Sequence, residues 1–154
     1  MTQKIRSYVF FPAVALLTGG VAGWLIRDSF EAFEQINKPV FTPPAIVFPI
    51  IWSILYLLMG IGAARVAQNQ SPQRENALTL FAAQLVINFF WPILFFRLNA
   101  YTLGAIWIVL LFILAAAMTW TFAQIDRIAG WLQLPYLLWL IFAGILNIAI
   151  LVLN

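Results

Sequence analysis

The chain has 154 residues, of which 64% are hydrophobic and 8% charged, and its net charge is +3. It carries seven tryptophans but no histidine and no cysteine, which excludes imidazole bases, thiolate nucleophiles, disulfides and metal sites built on those ligands. So small a positive charge signals no nucleic-acid partner, and any chemistry must come from ring faces, amides and backbone.

The few charged residues leave five long uncharged stretches, residues 7–26, 39–64, 76–96, 98–125 and 128–154. Each is long enough to cross a hydrocarbon core of about 30 Å, which takes about 20 apolar helical residues. The stretches are continuously apolar rather than alternating, so they read as helices and not as barrel strands. The expectation is an all-α, multi-pass membrane protein: a single domain over residues 1–154, with helices near 5–26, 44–68, 75–97, 100–124 and 129–153.

In the first stretch, Lys4 and Arg6 precede an apolar run with small residues near its end, as in a signal peptide. Its length favours a retained helix. Ala15, Gly19 and Gly23 form consecutive small-xxx-small steps there, and Gly60 with Ala64 does so in the second stretch. That spacing suits close helix contacts, either within one molecule or between two.

The connection that follows, residues 27–42, holds five charged side chains and spaces Phe30, Phe33 and Ile36 three apart. The spacing puts the three on one face of a short helix, either lying over the mouth of the bundle or forming a solvated linker. Next comes Lys38-Pro39-Val40-Phe41-Thr42-Pro43-Pro44. Residues before proline are pushed toward extended backbone, so Thr42 is expected to cap the second helix. Pro49 is expected to kink it and free a carbonyl.

Along that helix Phe48, Trp52, Tyr56 and Met59 share one stripe. The third helix places Gln84, Asn88, Trp91 and Phe95 on one face, and the fifth places Trp139, Ala143 and Asn147 at steps of four after Leu134-Pro135-Tyr136. Amides at mid-membrane depth face a bundle interior, a cavity or a partner helix. Three helices that each present tryptophan beside amides or small residues point to an aromatic pocket for a planar, mostly apolar ligand with a polar edge. Trp24, Trp107, Trp120 and Trp131 fall nearer span ends, where indoles anchor at the interface.

Lys4, Arg6, Arg65, Arg74 and Arg127 lie on the N-terminal side of such a bundle, and Arg27, Lys38 and Arg97 on the other. Five spans put the termini on opposite sides, and the excess of basic residues places the N-terminus in the cytoplasm.

The segments Lys38-Pro39-Val40-Phe41-Thr42-Pro43-Pro44, Phe48-Pro49-Ile50-Ile51-Trp52-Ser53-Ile54-Leu55-Tyr56, Gln84-Leu85-Val86-Ile87-Asn88-Phe89-Phe90-Trp91 and Pro135-Tyr136-Leu137-Leu138-Trp139-Leu140-Ile141-Phe142-Ala143, with Leu146-Asn147, together resemble the translocator protein family, also called tryptophan-rich sensory proteins or peripheral-type benzodiazepine receptors. The resemblance implies a five-helix bundle, often a homodimer, with a cavity open toward the loop between helices 1 and 2. Family members bind porphyrins and heme, cholesterol-like lipids and synthetic benzodiazepine or isoquinoline-carboxamide ligands.

Carried over by motif position, Trp52 and Trp139 look like the paired cavity tryptophans, with Phe33, Phe41, Pro43, Pro44, Phe48, Gln84, Asn88, Phe89, Trp91, Phe142, Ala143 and Asn147 as ligand-binding candidates. Some bacterial relatives are associated with light- and oxygen-dependent porphyrin breakdown, for which Trp52 and Trp139 would be the catalytic residues. The reading that follows is a receptor or sensor in a bacterial membrane, taking a porphyrin or other planar hydrophobic small molecule amid membrane lipid. It needs no cofactor and no metal. A porphyrin-degrading enzyme and a tetrapyrrole or lipid transporter are the alternatives, although no run contains a charge of the kind that couples transport to ions.

The chain departs from the family at Ala32-Phe33, where Trp-Tyr is common, at Phe41, where Trp is common, and at Pro92-Ile93, where Ser-Pro is usual. The sterol-recognition pattern of the animal proteins is missing, because residues 146–154 hold neither tyrosine nor a basic residue. Sterols are therefore the least supported ligand, and tetrapyrroles the most.

Overall fold

The structure is a computed structural model that describes residues 2–154. Seven α-helices account for five spans: α1 (Gln3–Ile26), α2 (Phe30–Gln35), α3 (Val47–Ala67), α4 (Arg74–Pro92), α5 (Tyr101–Ile125), α6 (Arg127–Trp131) and α7 (Leu134–Leu153). Helix is the only element these sequences can form in lipid, since every backbone N–H and C=O must find a partner inside its own segment. The last span is divided. Asp126 caps α6 by accepting from the Ala129 N–H at 3.0 Å, a short turn follows, and Pro135 then sits in the first turn of α7, where its missing N–H costs nothing.

Around the bundle, α1 packs between α3 and α4, α4 against α5, and α5 against α7, while α3 and α7 approach each other less closely. Large rings fill that wider gap: Trp52 meets Tyr136 edge-on at 6.1 Å between centroids, and Phe48 meets Trp139 at 5.9 Å. The small residues of α1 and α3 serve the opposite kind of contact. A Cβ on Gly60 would lie 2.2 Å from the Pro12 Cα, and one on Gly19 would lie 2.2 Å from the Tyr56 ring. The small-xxx-small steps at Ala15, Gly19, Gly60 and Ala64 are thus spent inside the monomer.

Three local expectations are corrected. Helix α3 starts at Val47, not at residue 44, so Thr42 does not cap it; its backbone N–H and its hydroxyl both donate to the Pro39 carbonyl and close a turn in the loop. Pro49 therefore falls in the first turn of α3, where no helical bond is lost and no carbonyl is freed. The proline that does interrupt a helix interior is Pro12, in α1. Pro92 ends α4 for a related reason. It cannot donate to the Asn88 carbonyl, and the chain widens into a π-helical turn at Ile93–Arg97, with the Leu98 N–H reaching the Ile93 carbonyl at 3.0 Å. Asn99, in left-handed conformation at φ 50°, then leads into α5.

At the other end of α3, the Arg65 guanidinium grips Asp126 with two hydrogen bonds, Nε at 3.2 Å and Nη2 at 2.8 Å. Burial pushes the Asp126 carboxyl up, but the bonds from Arg65 and from the Ala129 N–H outweigh it and hold the group below the usual carboxylate range. A depressed carboxyl contributes stability that is complete above its unfolded value, about 3.9, and is lost as pH falls through the folded one. Asp126→Asn is accordingly expected to cost about 1 kcal/mol at pH 7. In thermal melts of the purified protein in detergent, the gap to wild type should narrow as pH falls below about 3.9 and through the lower folded value, and a constant gap across the acid range would refute the assignment.

Candidate functional site

The interior at the loop end is built almost entirely of rings. Phe33 of α2 is buried and meets Phe48, Phe95 and Phe96 at centroid distances of 5.8, 6.0 and 5.1 Å. Phe30 and Ile36 pack on the same core, so the three-residue spacing in the loop does form a plug over the bundle. Lys38 fixes it by donating to the Phe33 and Glu34 carbonyls at 3.1 and 3.0 Å. Asn37 and Asn154 tie the loop to the end of α7, since the Asn37 N–H donates to the Asn154 Oδ1 at 3.2 Å and the Asn154 Nδ2 donates back to the Asn37 carbonyl at 2.8 Å.

Below the plug lies a cavity of about 320 Å³ between α1, α3 and α4. Gly19, Gly20 and Gly23 form one wall, Phe48, Trp52, Ser53 and Tyr56 a second, and Asn88, Pro92 and Phe96 a third. Trp52 is half-buried, with its ring against Tyr56, Trp91 and Tyr136.

A directed line of hydrogen bonds runs away from this wall. Tyr56 Oη donates to Asn88 Oδ1 at 2.8 Å, Asn88 Nδ2 to Tyr136 Oη at 2.7 Å, and Tyr136 Oη to Gln84 Oε1 at 2.8 Å; Gln84 Nε2 ends on Met59 Sδ at 3.5 Å. All five side chains are buried, so the line satisfies polar atoms that lipid or protein interior would otherwise penalise. A separate pair of bonds holds the other side: Trp91 Nε1 donates to Asn147 Oδ1 at 3.3 Å and Asn147 Nδ2 to the Tyr101 carbonyl at 2.8 Å. Asn147 can sit there because Gly104 faces it; a Cβ on that glycine would lie 2.8 Å from its Oδ1.

The structure separates the candidate residues into groups. Phe48, Trp52 and Asn88 line the cavity. Gln84, Trp91, Ala143 and Asn147 are fully enclosed behind it. Trp139 stands across the Phe48 ring from the cavity and packs on Phe142 at 5.1 Å, and Phe142 in turn meets Phe41 of the loop at 6.3 Å. Pro43 and Pro44 lie in the loop, half-buried and exposed respectively. Phe89 faces outward into an apolar groove between α1 and α4.

Among the described residues only two buried side-chain polar atoms lack a partner, Trp139 Nε1 and Gln133 Oε1. Tyr136 was the residue that sequence reasoning missed; it joins Asn88 to Gln84, and its position one turn before Trp139 was the available signal. Trp107 also departs from its reading as an interfacial anchor, because it is half-buried and its Nε1 donates to the Ile87 carbonyl in the middle of α4 at 2.8 Å.

Comparison with known proteins matches this arrangement to one family. The pattern that defines the TspO/MBR family covers residues 10–153. The chain belongs to that family. A tryptophan-rich sensory protein of Cereibacter sphaeroides is 38% identical over 124 residues, 80% of this chain and 77% of that one. The protein CrtK of Rhodobacter capsulatus is 35% identical over 144 residues, 92% of this chain and 89% of its own length. The translocator protein of Bos taurus is 33% identical over 123 residues, 78% and 73% of the two chains. Together with five helices long and apolar enough to span a bilayer, membership in the TspO/MBR family makes this a multi-pass membrane protein.

Proposed function

We propose that the protein is a membrane receptor of sensor type that binds porphyrins or heme-like tetrapyrroles, with Trp52 and Trp139 on either face of the ligand and no resident cofactor. The observation that carries the reading is the buried, unpartnered indole N–H of Trp139. A donor left unpaired in a closed apolar interior is costly and calls for a partner. The one ring between it and the cavity is Phe48, which touches both.

In this proposal the Phe48 side chain, which lines the 320 Å³ cavity and packs on Trp139, turns aside as the ligand enters and joins the cavity to the Trp139 edge. The enlarged space has two indole faces, an acceptor-seeking N–H and the Asn88–Tyr56 pair along its border, which suits a large planar ring with polar atoms at its rim. The cavity without that movement stands at the low end of the range of about 300–1,000 Å³ usual for drug-sized ligands. The homodimer implied by the family belongs to the same proposal, with the outer groove holding Phe89 as its contact surface.

Addition of protoporphyrin to the protein in lipid nanodiscs is expected to quench tryptophan emission, and Trp52→Phe with Trp139→Phe should remove most of that quenching and weaken affinity by about tenfold. Quenching and affinity that are unchanged in the double variant would sink the assignment.

A further inference from the structure

The cavity has one closed end and one open side, and they are not where the loop suggests. At the loop end, Ile26, Phe33, Phe48 and Phe96 are each 5% exposed or less, so rings shut off that approach. One side of the cavity wall, by contrast, belongs to residues on the outer surface of the bundle. Leu16 and Gly20 of α1 and Pro49 and Ser53 of α3 line the cavity and are all exposed. Their positions lie within the two apolar spans, so the medium outside them is lipid rather than water.

The reason for the gap lies in how α1 and α3 are joined. The two helices are clamped where the Pro12 backbone meets Gly60 and again where Gly19 meets the Tyr56 ring. Beyond the second clamp the pairing stops: a Cβ on Gly20 or on Gly23 would meet nothing within 4 Å. The helices therefore splay from a fixed end toward the loop end, and the glycines on one side with Pro49 and Ser53 on the other frame a window. Ser53 adds no polar obstacle, because its hydroxyl is turned back onto the Pro49 carbonyl at 2.7 Å.

We infer that this window between α1 and α3 is the portal of the cavity, and that the ligand is an amphiphile dissolved in the bilayer that passes sideways from lipid to Trp52. The inference rests on the ligand class proposed above and deepens it: the ligand partitions into membrane first and meets the protein second. Gly20 is the sill of the portal. A side chain there would start into the opening with no neighbour within 4 Å of its Cβ.

The test is kinetic, with protoporphyrin preloaded into phosphatidylcholine vesicles and the full chain reconstituted in vesicles of the same lipid. Transfer is followed by tryptophan quenching after fusion of the two populations. Gly20→Leu is expected to slow association by about tenfold while the melting temperature stays at or above that of wild type, since leucine is the better helix former. Asn37→Ala, which unties the loop from α7, is expected to leave the association rate within about twofold of wild type.

An unchanged rate in Gly20→Leu, or a faster one in Asn37→Ala, would overturn the portal and return the route to the loop end. Absence of any quenching in wild type would instead refute the tetrapyrrole reading on which the portal rests. The two failures are therefore distinguishable.

Discussion

Gly60→Ala is expected to destabilise the protein by about 2 kcal/mol, although it adds a single methyl group to a helix. The added carbon would fall 2.2 Å from the Cα and 2.5 Å from the N of Pro12. Both are backbone atoms in the middle of α1, so no rotamer change can make room, and the two helices must separate. Overpacking of this kind costs about 1–3 kcal/mol, and the gain in helix propensity of about 1 kcal/mol offsets only part of it.

Gly20→Ala is the matching control, because the space above Gly20 is empty. It should be neutral or stabilising by up to about 1 kcal/mol. Unfolding of both variants by denaturing detergent in mixed micelles measures the contrast. If Gly60→Ala proves as stable as wild type, the α1–α3 clamp described above is wrong.

Asn88→Leu is expected to have an effect of similar size through a different cause. Asn88 accepts from Tyr56 and donates to Tyr136, so leucine leaves the Tyr56 hydroxyl without its acceptor, while Tyr136 keeps its bond to Gln84. Interhelical hydrogen bonds in membranes average about 0.6 kcal/mol and reach about 1.7, and an orphaned buried donor adds to that. A total of about 2–3 kcal/mol follows.

Tyr56→Phe should cost about 1 kcal/mol, and the double variant less than the sum of the two, since both remove the same bond. Strict additivity in that cycle would show that the two side chains are not coupled. Because Asn88 and Tyr56 also border the cavity, porphyrin affinity should fall with stability in Asn88→Leu.

The positions of the charges made the number of spans legible, because a charge inside lipid is too costly to be hidden in a long apolar run. The loop helix was legible from three apolar residues at helical spacing, and the packing of Phe33 under Lys38 fits it. The ends of the elements were harder. Thr42 has the right chemistry for a cap, but two prolines follow it and the chain uses its hydroxyl to close a turn instead. Pro49 reads as a helix breaker only if the helix has already begun, and a start at Val47 makes it harmless.

At the site, the stripes on α3 and α4 predicted which faces turn inward, since periodicity carries that information. They could not say which inward residues meet empty space. Gln84 and Asn147 end up in closed hydrogen bonds, and only Asn88 of the three amides borders the cavity. The α1 glycines show the same limit: Gly19 and Gly20 are neighbours of one type, yet one abuts a ring and the other abuts nothing.

The π-helical turn at Ile93–Arg97 sets the phase of everything after it. Phe95 and Phe96 lie in this turn and are both buried. Arg97 then faces α1 and donates to the Leu25 carbonyl at 3.2 Å. The extra residue in the turn acts as a spacer on a dial. Deleting one position from 93 to 96 would let the segment wind as an ordinary α-helix and take away one of the residues it now places at the loop end. The aromatic seal over the cavity thus depends on the length of a five-residue segment as well as on which residues it contains.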